Sequence, residues 1–295
     1  MAVVLSAAIA GCGGGQDPIL GTGAGGSVTP IAPTVTTTSF VSTSLARFGI
    51  FGGSAGMTNT GNQTVITGSG GNTADIGTMA TGTSSVTGFH DSNGDIYTEV
   101  VGVNEGNVTG KIYTCTNSTT GPTSGGVNAV SCTAATNARA DVLAAYTNLV
   151  AQPAGPNPGA GNLANLTLAP GVYTAAAGSF KMEGGDLTLD AKGDANAVWV
   201  FQMATTLTVG GPGAAFPQSV ILAGGAQAKN VYWQVGSAAT INAGGGGTMV
   251  GTIISQAGVT FSTAGNAALT TLNGRALSLN ASVTMVNTVI NVPAP

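Results

Sequence analysis

From Leu166 onward, two kinds of short segment alternate along the chain. The first kind is apolar at nearly every position, as in VWVFQM, NVYWQV, VGTIIS and GRALSL. The second kind alternates apolar and small polar residues, as in TTLTV, ATIN, VTFS and SVTMV. Because successive side chains of a strand point to opposite faces, the second kind predicts strands with one dry and one solvated face. The uniformly apolar strands are expected to be covered on both sides.

These segments recur at a nearly constant spacing. Thr240, Thr260 and Thr284 occupy the same place in three successive repeats, and each apolar segment precedes its alternating partner. Short strands repeated at a period of roughly 20 residues or more and separated by glycine turns are typical of a solenoid. We therefore predict a parallel β-helix in which each repeat forms one coil. The run Gly244–Gly247 is interpreted as a tight corner, although four glycines exceed what a corner requires.

One long helix is predicted, over about residues 134–152. Thr133 or Thr136 is expected to cap its start, and Pro153 to end it. Its apolar stripe comprises Val142, Leu143, Tyr146, Leu149 and Val150. This helix is the expected cover for the apolar strands, and Trp199 and Trp233 are expected to pack against it.

The N-terminal segment, residues 1–39, is predicted to lie outside the fold. Residues 1–12 form an apolar run ending in Ile9-Ala10-Gly11-Cys12, which resembles a bacterial lipobox in which Cys12 is lipidated. The alternative is an ordinary short apolar segment of a truncated signal, since the usual basic region is missing. Residues 13–39 are rich in Gly, Ser, Thr and Pro and predict a flexible linker. Both interpretations indicate export, to the cell surface or outer membrane as a lipoprotein, or otherwise by secretion.

The composition of the chain reduces the number of possible partners and ligands. Charged residues make up only 6% of the 295 residues and the net charge is −4, which argues against a nucleic-acid partner. No cofactor is expected. A metal site is not expected either, because His90 is the only histidine. An oxidising compartment permits Cys115 and Cys132 to pair, and a disulfide closing the loop of about residues 114–133 is predicted.

Four segments resemble a known family. LTLAPGVY (166–173), AVWVFQM (197–203), GGAQAKNVYWQVG (224–236) and LNGRALS (272–278) are similar to motifs of the microbial ice-binding, or antifreeze, proteins. The resemblance covers about residues 40–293 and implies a discontinuous right-handed β-helix with one helix alongside. The loop that contains Cys115 and Cys132 falls where the family carries a variable cap.

The resemblance implies adsorption to ice through one flat β-helix face. We expect a monomer without enzymatic activity. Some members carry a Thr-Ala/Gly-x-Thr/Asn pattern there, which residues 263–266 match and residues 81–84 match in part. Outward threonine, serine and asparagine side chains of the alternating strands are the predicted site: Thr188, Thr206, Thr208, Thr240, Asn242, Thr260, Ser262, Thr263, Ser282 and Thr284. From the N-terminal strands, the candidates for extending this face are Thr64, Thr67, Thr81 and Thr83, whose register the sequence does not fix.

Two other function classes stay open. Parallel β-helices also include polysaccharide-cleaving enzymes, and Glu183, Asp186, Asp190 and Asp194 are the acidic candidates for such chemistry. Threonine is also simply a good strand former, so a cell-surface adhesin or glycan-binding β-helix is the main alternative. An exposed tryptophan platform would favour that alternative.

Overall fold

The strands of the protein stack as a parallel β-helix with one long α-helix alongside, which confirms the predicted fold class. The computed structural model describes residues 32–35, 39–70, 73–210, 217–263 and 265–295. The predicted signal segment with Cys12, most of the predicted linker and Ala264 therefore lie outside the described residues. Within those ranges no helix is long and apolar enough to cross a membrane.

Three sheets form the walls of the β-helix. The seven-stranded threonine sheet contains, in stacking order, Phe180–Met182, Leu207–Val209, Ala239–Ile241, Val259–Phe261, Val283–Met285, Met57–Asn59 and Val86–Thr87. The short sheet contains Thr167–Leu168, Leu187–Asp190 and Val220–Ala223. The long sheet contains Gly171–Thr174, Trp199–Met203, Val231–Val235, Thr248–Ser255, Thr270–Ser278, Thr288–Val292, Thr64–Gly68, Gly106–Val108, Phe89–Asp91 and Ile96–Tyr97. Three further strands form a branch of this sheet. Phe48–Gly52 pairs with Thr270–Ser278, Asp75–Thr78 pairs with Phe48–Gly52, and Ile112–Thr114 pairs with Asp75–Thr78.

The order of the strands in the stack does not follow the order of the sequence. Strands from the N-terminal part of the chain stack onto the last strands of the C-terminal part. Met57–Asn59 pairs with Val283–Met285, and Thr64–Gly68 pairs with Thr288–Val292. All strand pairs named here are parallel except Phe89–Asp91 with Ile96–Tyr97. The N-terminal coils therefore close one end of the β-helix against the last coils of the chain.

Aromatic rings fill the interior of the first coils. The register aligns Tyr173 with Phe201 and Phe201 with Trp233, and the Phe201 and Trp233 rings stack with centroids 4.1 Å apart. The expectation that Trp199 and Trp233 pack against the helix is wrong, since both belong to the buried β-helix core. Their indole N–H groups donate to backbone carbonyls, that of Trp233 to Val250 at 2.8 Å. The residues at the alternate positions of these strands, such as Tyr232, face the helix instead.

The helix covers the outer side of the long sheet. It spans Ala129–Val150, and the Asn128 side chain accepts from the N–H groups of its first turn. The helix thus begins earlier than the predicted start near residue 134. Thr133 and Thr136 are not caps: each hydroxyl donates to the carbonyl four residues earlier. Two short 3₁₀ turns, Leu45–Arg47 and Ala228–Asn230, flank the same sheet, and a third spans Pro158–Gly161.

Small residues form most of the helix face that packs on the sheet. The buried positions are Ala135, Ala138, Val142, Ala145 and Leu149. Leu143 and Val150, which were expected in the buried stripe, are 46% and 51% exposed. The Gln202 side chain donates to the carbonyls of Leu149 and Gln152 at 2.9 Å each, which ties the C-terminal end of the helix to the long sheet.

Both ends of the stack are covered. At the first coil, the edge strand Gly171–Thr174 donates from Val172 to the carbonyl of Pro33 and from Thr174 to that of Pro156. Covering an edge strand removes a template for pairing with other chains. At the other end, Cys115 and Cys132 form a disulfide that joins the loop to the first helical turns.

A buried carboxylate organises the loop at the disulfide end. Burial would raise the pKa of Asp95, but hydrogen bonds outweigh this effect and lower it below its usual value. The donors are the Thr123 N–H and hydroxyl, the Ser118 hydroxyl and the Asn93 amide. Since these donors favour the charged form, the carboxylate ties the turn at Asn93 to Ser118 and Thr123 in the loop of residues 114–133.

Candidate functional site

One row of threonines crosses the threonine sheet. Its members occupy the same outward position in six adjacent strands, and the pairing places each beside the next. In stacking order this threonine row is Thr208, Thr240, Thr260, Thr284, Thr58 and Thr87. Adjacent strands lie about 4.8 Å apart, so the row extends over about 24 Å.

The row is held rigidly from beneath. The side chains on either side of Thr208, Thr240, Thr260, Thr284 and Thr58 point inward, and Leu207, Ile241 and Phe261 among them are fully buried. The threonines themselves are half-buried between their neighbours, and the Thr284 hydroxyl donates to that of Thr260 at 3.1 Å. Because β-branched side chains are stiff at χ1, the row presents methyls and hydroxyls in fixed positions.

Small residues flank the row on its upstream side. The residues two positions before the six threonines are Thr206, Ala238, Gly258, Ser282, Gly56 and Ser85, and backbone hydrogen bonds such as that from the Val259 N–H to the Ser282 carbonyl connect neighbouring strands through them. The predicted residues Thr206 and Ser282 thus lie beside the threonine row. These upstream neighbours of the six threonines are all small and uncharged.

The comparison with protein families identifies this architecture. The profile of a family described as ice-binding-like matches residues 51–291. The chain belongs to the ice-binding-like family. Its match covers all three sheets almost completely and includes all six threonines of the row.

Several curated proteins are similar to this family member. The ice-binding protein of Nostoc sp. (strain HG1) is 34% identical over 242 residues, which cover 81% of this chain and 69% of that protein. Ice-binding protein 1 of Shewanella frigidimarina (strain NCIMB 400) is 38% identical over 129 residues, which cover 42% of this chain. That match spans only 13% of the Shewanella protein. The ice-binding protein of Flavobacterium frigoris (strain PS1) is 35% identical, and about half of it is matched.

Solved structures share the fold of this ice-binding-like chain. A domain of the Shewanella frigidimarina ice-binding protein 1 superposes with a TM-score of 0.63 at 26% identity, covering 89% of this chain and 98% of that one. An ice-binding protein from an Antarctic biological consortium gives a TM-score of 0.61 at 30% identity, covering 88% of this chain and 96% of that one.

The structure brings together only part of the predicted site of this ice-binding-like protein. Thr208, Thr240, Thr260 and Thr284 lie in the row. Asn242 and Ser262 do not point outward, contrary to expectation, because each adopts a left-handed backbone (φ 45° and 58°) that turns the chain at the corner. Both are 1% exposed.

Thr263 and Thr188 lie elsewhere. Thr263 is exposed in the corner beyond the sheet, where its hydroxyl donates to the Ala243 carbonyl and accepts from the Asn266 amide. Thr263 and Asn266, the first and last residues of that pattern, therefore bond within the corner and add no side chain to the threonine row. Thr188 belongs to the short sheet, in register with Thr167 and Ile221.

Thr58 and Thr87 were missed by the sequence analysis. Thr64, Thr67, Thr81 and Thr83 were expected instead as N-terminal extensions of the face. Of these, Thr64 and Thr67 lie in the long sheet, and Thr81 and Thr83 lie in the exposed segment before Val86–Thr87. A local signal was available, because Met57-Thr58-Asn59 and Val86-Thr87 repeat the apolar–Thr motif of LTV, ATI, VTF and VTM.

The glycine run at residues 244–247 has a structural explanation. Gly245, Gly246 and Gly247 are successive left-handed residues with φ between 73° and 83°, a conformation that residues with a Cβ rarely adopt. They wrap around the buried Asn242 amide, which donates to the Gly246 and Gln218 carbonyls. A Cβ at Gly247 would lie 2.4 Å from that amide nitrogen. The run is thus a wide corner around one asparagine.

Each of the acidic candidates has a local partner. Asp186, Asp190 and Asp194 each accept a hydrogen bond from a backbone N–H, and Glu183 pairs with Lys181. Within the described ranges, no group of three or more His, Cys, Asp or Glu side chains is arranged to hold a metal ion. Neither tryptophan offers a platform for a glycan, because both are fully buried.

Proposed function

We propose that this protein binds ice through the threonine row. The observation that carries the proposal is the register of six outward threonines on adjacent strands. The names of the similar proteins support it, since each is an ice-binding protein. The site consists of the row together with its upstream neighbours Thr206 and Ser282.

The chemistry of the row suits a crystalline water surface. The threonines repeat about every 4.8 Å across the strands, and the small residues beside them stand about 6.6–6.8 Å away along the strand. Methyl groups cannot hydrogen-bond and favour cage-like water around them, whereas hydroxyls anchor that water. Because the β-helix is already rigid, little ordering entropy is lost when the surface docks. Water organised on the row then merges with the growing crystal.

Adsorption of this kind inhibits crystal growth. Molecules fixed on the ice surface force it to grow in curved fronts between them, and curved fronts melt more easily than flat ones. The protein therefore lowers the freezing point below the melting point and slows recrystallisation. As a monomer with one binding surface, it acts without a cofactor.

The direct test uses purified protein with an ice crystal held near its melting point. We expect faceted crystals and a measurable gap between the melting and freezing temperatures. Round, unmodified discs at high protein concentration would contradict the proposal. A protein of similar size without ice affinity is the control for viscosity.

We further propose that the protein is exported and anchored through Cys12. The apolar segment and the Ile9-Ala10-Gly11-Cys12 sequence support this placement, and a linker before the β-helix would let the domain reach ice from the cell surface. Growth with a labelled fatty-acid precursor is expected to label the protein, and Cys12→Ala is expected to abolish the label. A parent protein that is secreted without label would contradict the anchor.

A further inference from the structure

The threonine row ends at a charged residue. Lys181 occupies in Phe180–Met182 the outward position that threonine occupies in the next six strands, because Lys181 pairs with Thr208. Its ammonium lies 2.6 Å from the carboxylate of Glu183, with the two side chains 53% and 41% exposed. Glu183 directly follows that strand, and the contact holds its carboxylate beside the outward Lys181. The first coil therefore presents an ion pair where the other coils present threonine.

This ion pair has little role in holding the fold. The backbone of Glu183 is fixed by Asn162, whose amide oxygen accepts from the Glu183 N–H and whose amide nitrogen donates to the Glu183 carbonyl. Those bonds do not involve the carboxylate. Ion pairs this exposed contribute little to stability, since water screens them. Both side chains can therefore be exchanged without loss of the coil.

The charges lie directly beside the threonines. The pair borders a groove of about 330 Å³ that Thr206 and Thr208 also line. Water around an ammonium and a carboxylate is oriented by their charge and is costly to remove. Such water does not fit the neutral arrangement that methyls and hydroxyls impose, so ordered water cannot extend from Thr208 onto the first coil.

We propose that the Lys181–Glu183 ion pair limits the ice-contacting surface to the six coils from Thr208 to Thr87. This inference rests on the proposed ice-binding function. It assigns Lys181 and Glu183 as the residues that set the length of the surface, and it makes the first coil a site at which the surface can be lengthened.

The test is the double variant Lys181→Thr/Glu183→Thr in the full chain. It removes one positive and one negative charge, so the net charge stays at −4, and it lengthens the row from six to seven threonines. We expect a larger gap between melting and freezing than the parent shows at the same concentration. The control is Lys181→Glu/Glu183→Lys, which keeps an ion pair on the first coil and is expected to match the parent.

The outcomes separate the two proposals. A parent without any ice activity contradicts the proposed function itself. If the parent is active but the double threonine variant, folded as judged by circular dichroism and its melting temperature, shows an unchanged or smaller gap, the limiting role of the ion pair is wrong. A raised gap in the charge-swapped control also overturns it, because the charges would then not be the limiting feature.

Discussion

Thr260→Tyr is expected to remove most of the ice activity while leaving the fold intact. Thr260 lies in the third of the six coils of the row, between Thr240 and Thr284. A tyrosine ring there stands above the row and separates the threonines on both sides from the ice. A loss of even about 1.4 kcal/mol in adsorption free energy is a factor of about ten in affinity. We therefore expect at least about tenfold more protein to be needed for the same hysteresis.

The fold should tolerate this change because the side chain points outward. Surface substitutions of this kind usually change the free energy of unfolding by no more than about 0.5 kcal/mol. The measurement is the hysteresis gap of parent and variant at equal concentration, with thermal unfolding followed by circular dichroism. A variant that melts well below the parent would leave activity and folding confounded, so Thr240→Tyr provides a second probe of the same row.

Thr188→Tyr is the matched control. Thr188 is also an outward threonine on a β-strand, but it lies in the short sheet. We expect it to keep the parent's activity. If Thr188→Tyr lost activity while Thr260→Tyr and Thr240→Tyr retained it, the short sheet and not the threonine sheet would be the ice-contacting surface.

The sequence predicts the central threonines because the strands that carry them alternate strictly. In ATIN and VTFS, the period of two places threonine outward and its neighbours inward, and the structure has that arrangement in Ala239–Ile241 and Val259–Phe261. The same rule fails one residue later, at Asn242 and Ser262. A left-handed residue ends the extended backbone, so the next outward position in the pattern becomes a buried corner.

Other features depend on contacts between distant parts of the chain. Thr58 pairs with Thr284, which lies near the other end of the sequence, and no local pattern specifies that register. The fully apolar strands raise a different problem, because VWVFQM shows no alternation from which to decide which side faces the helix. The assignment of Trp199 and Trp233 to the helix side failed for that reason. The disulfide end is set by individual hydrogen bonds to Asp95, which composition does not predict.

Trp233→Ala is expected to be among the most destabilising single substitutions in the β-helix. The indole is fully buried, stacks on Phe201 with centroids 4.1 Å apart and donates to the Val250 carbonyl at 2.8 Å. Truncation removes the stacked ring, opens a cavity and leaves that carbonyl without its donor. Phe or Trp to Ala changes in cores cost about 3–5 kcal/mol. At about 2–4 °C per kcal/mol, the melting temperature should fall by roughly 6–20 °C.

Two further variants assign this loss to its causes. Trp233→Phe keeps an aromatic ring against Phe201 but loses the hydrogen bond, so we expect a smaller loss of stability. Leu143→Ala removes an apolar side chain from the helix face that is 46% exposed and should change stability by no more than about 0.5 kcal/mol. A Trp233→Ala loss below about 1 kcal/mol, measured by urea or thermal unfolding, would contradict an interior position for the indole.

Because Val231–Val235 leads through one corner into Ala239–Ile241, a loosened coil should also disturb the position of Thr240. We therefore expect part of the ice activity to be lost even at temperatures where Trp233→Ala remains folded.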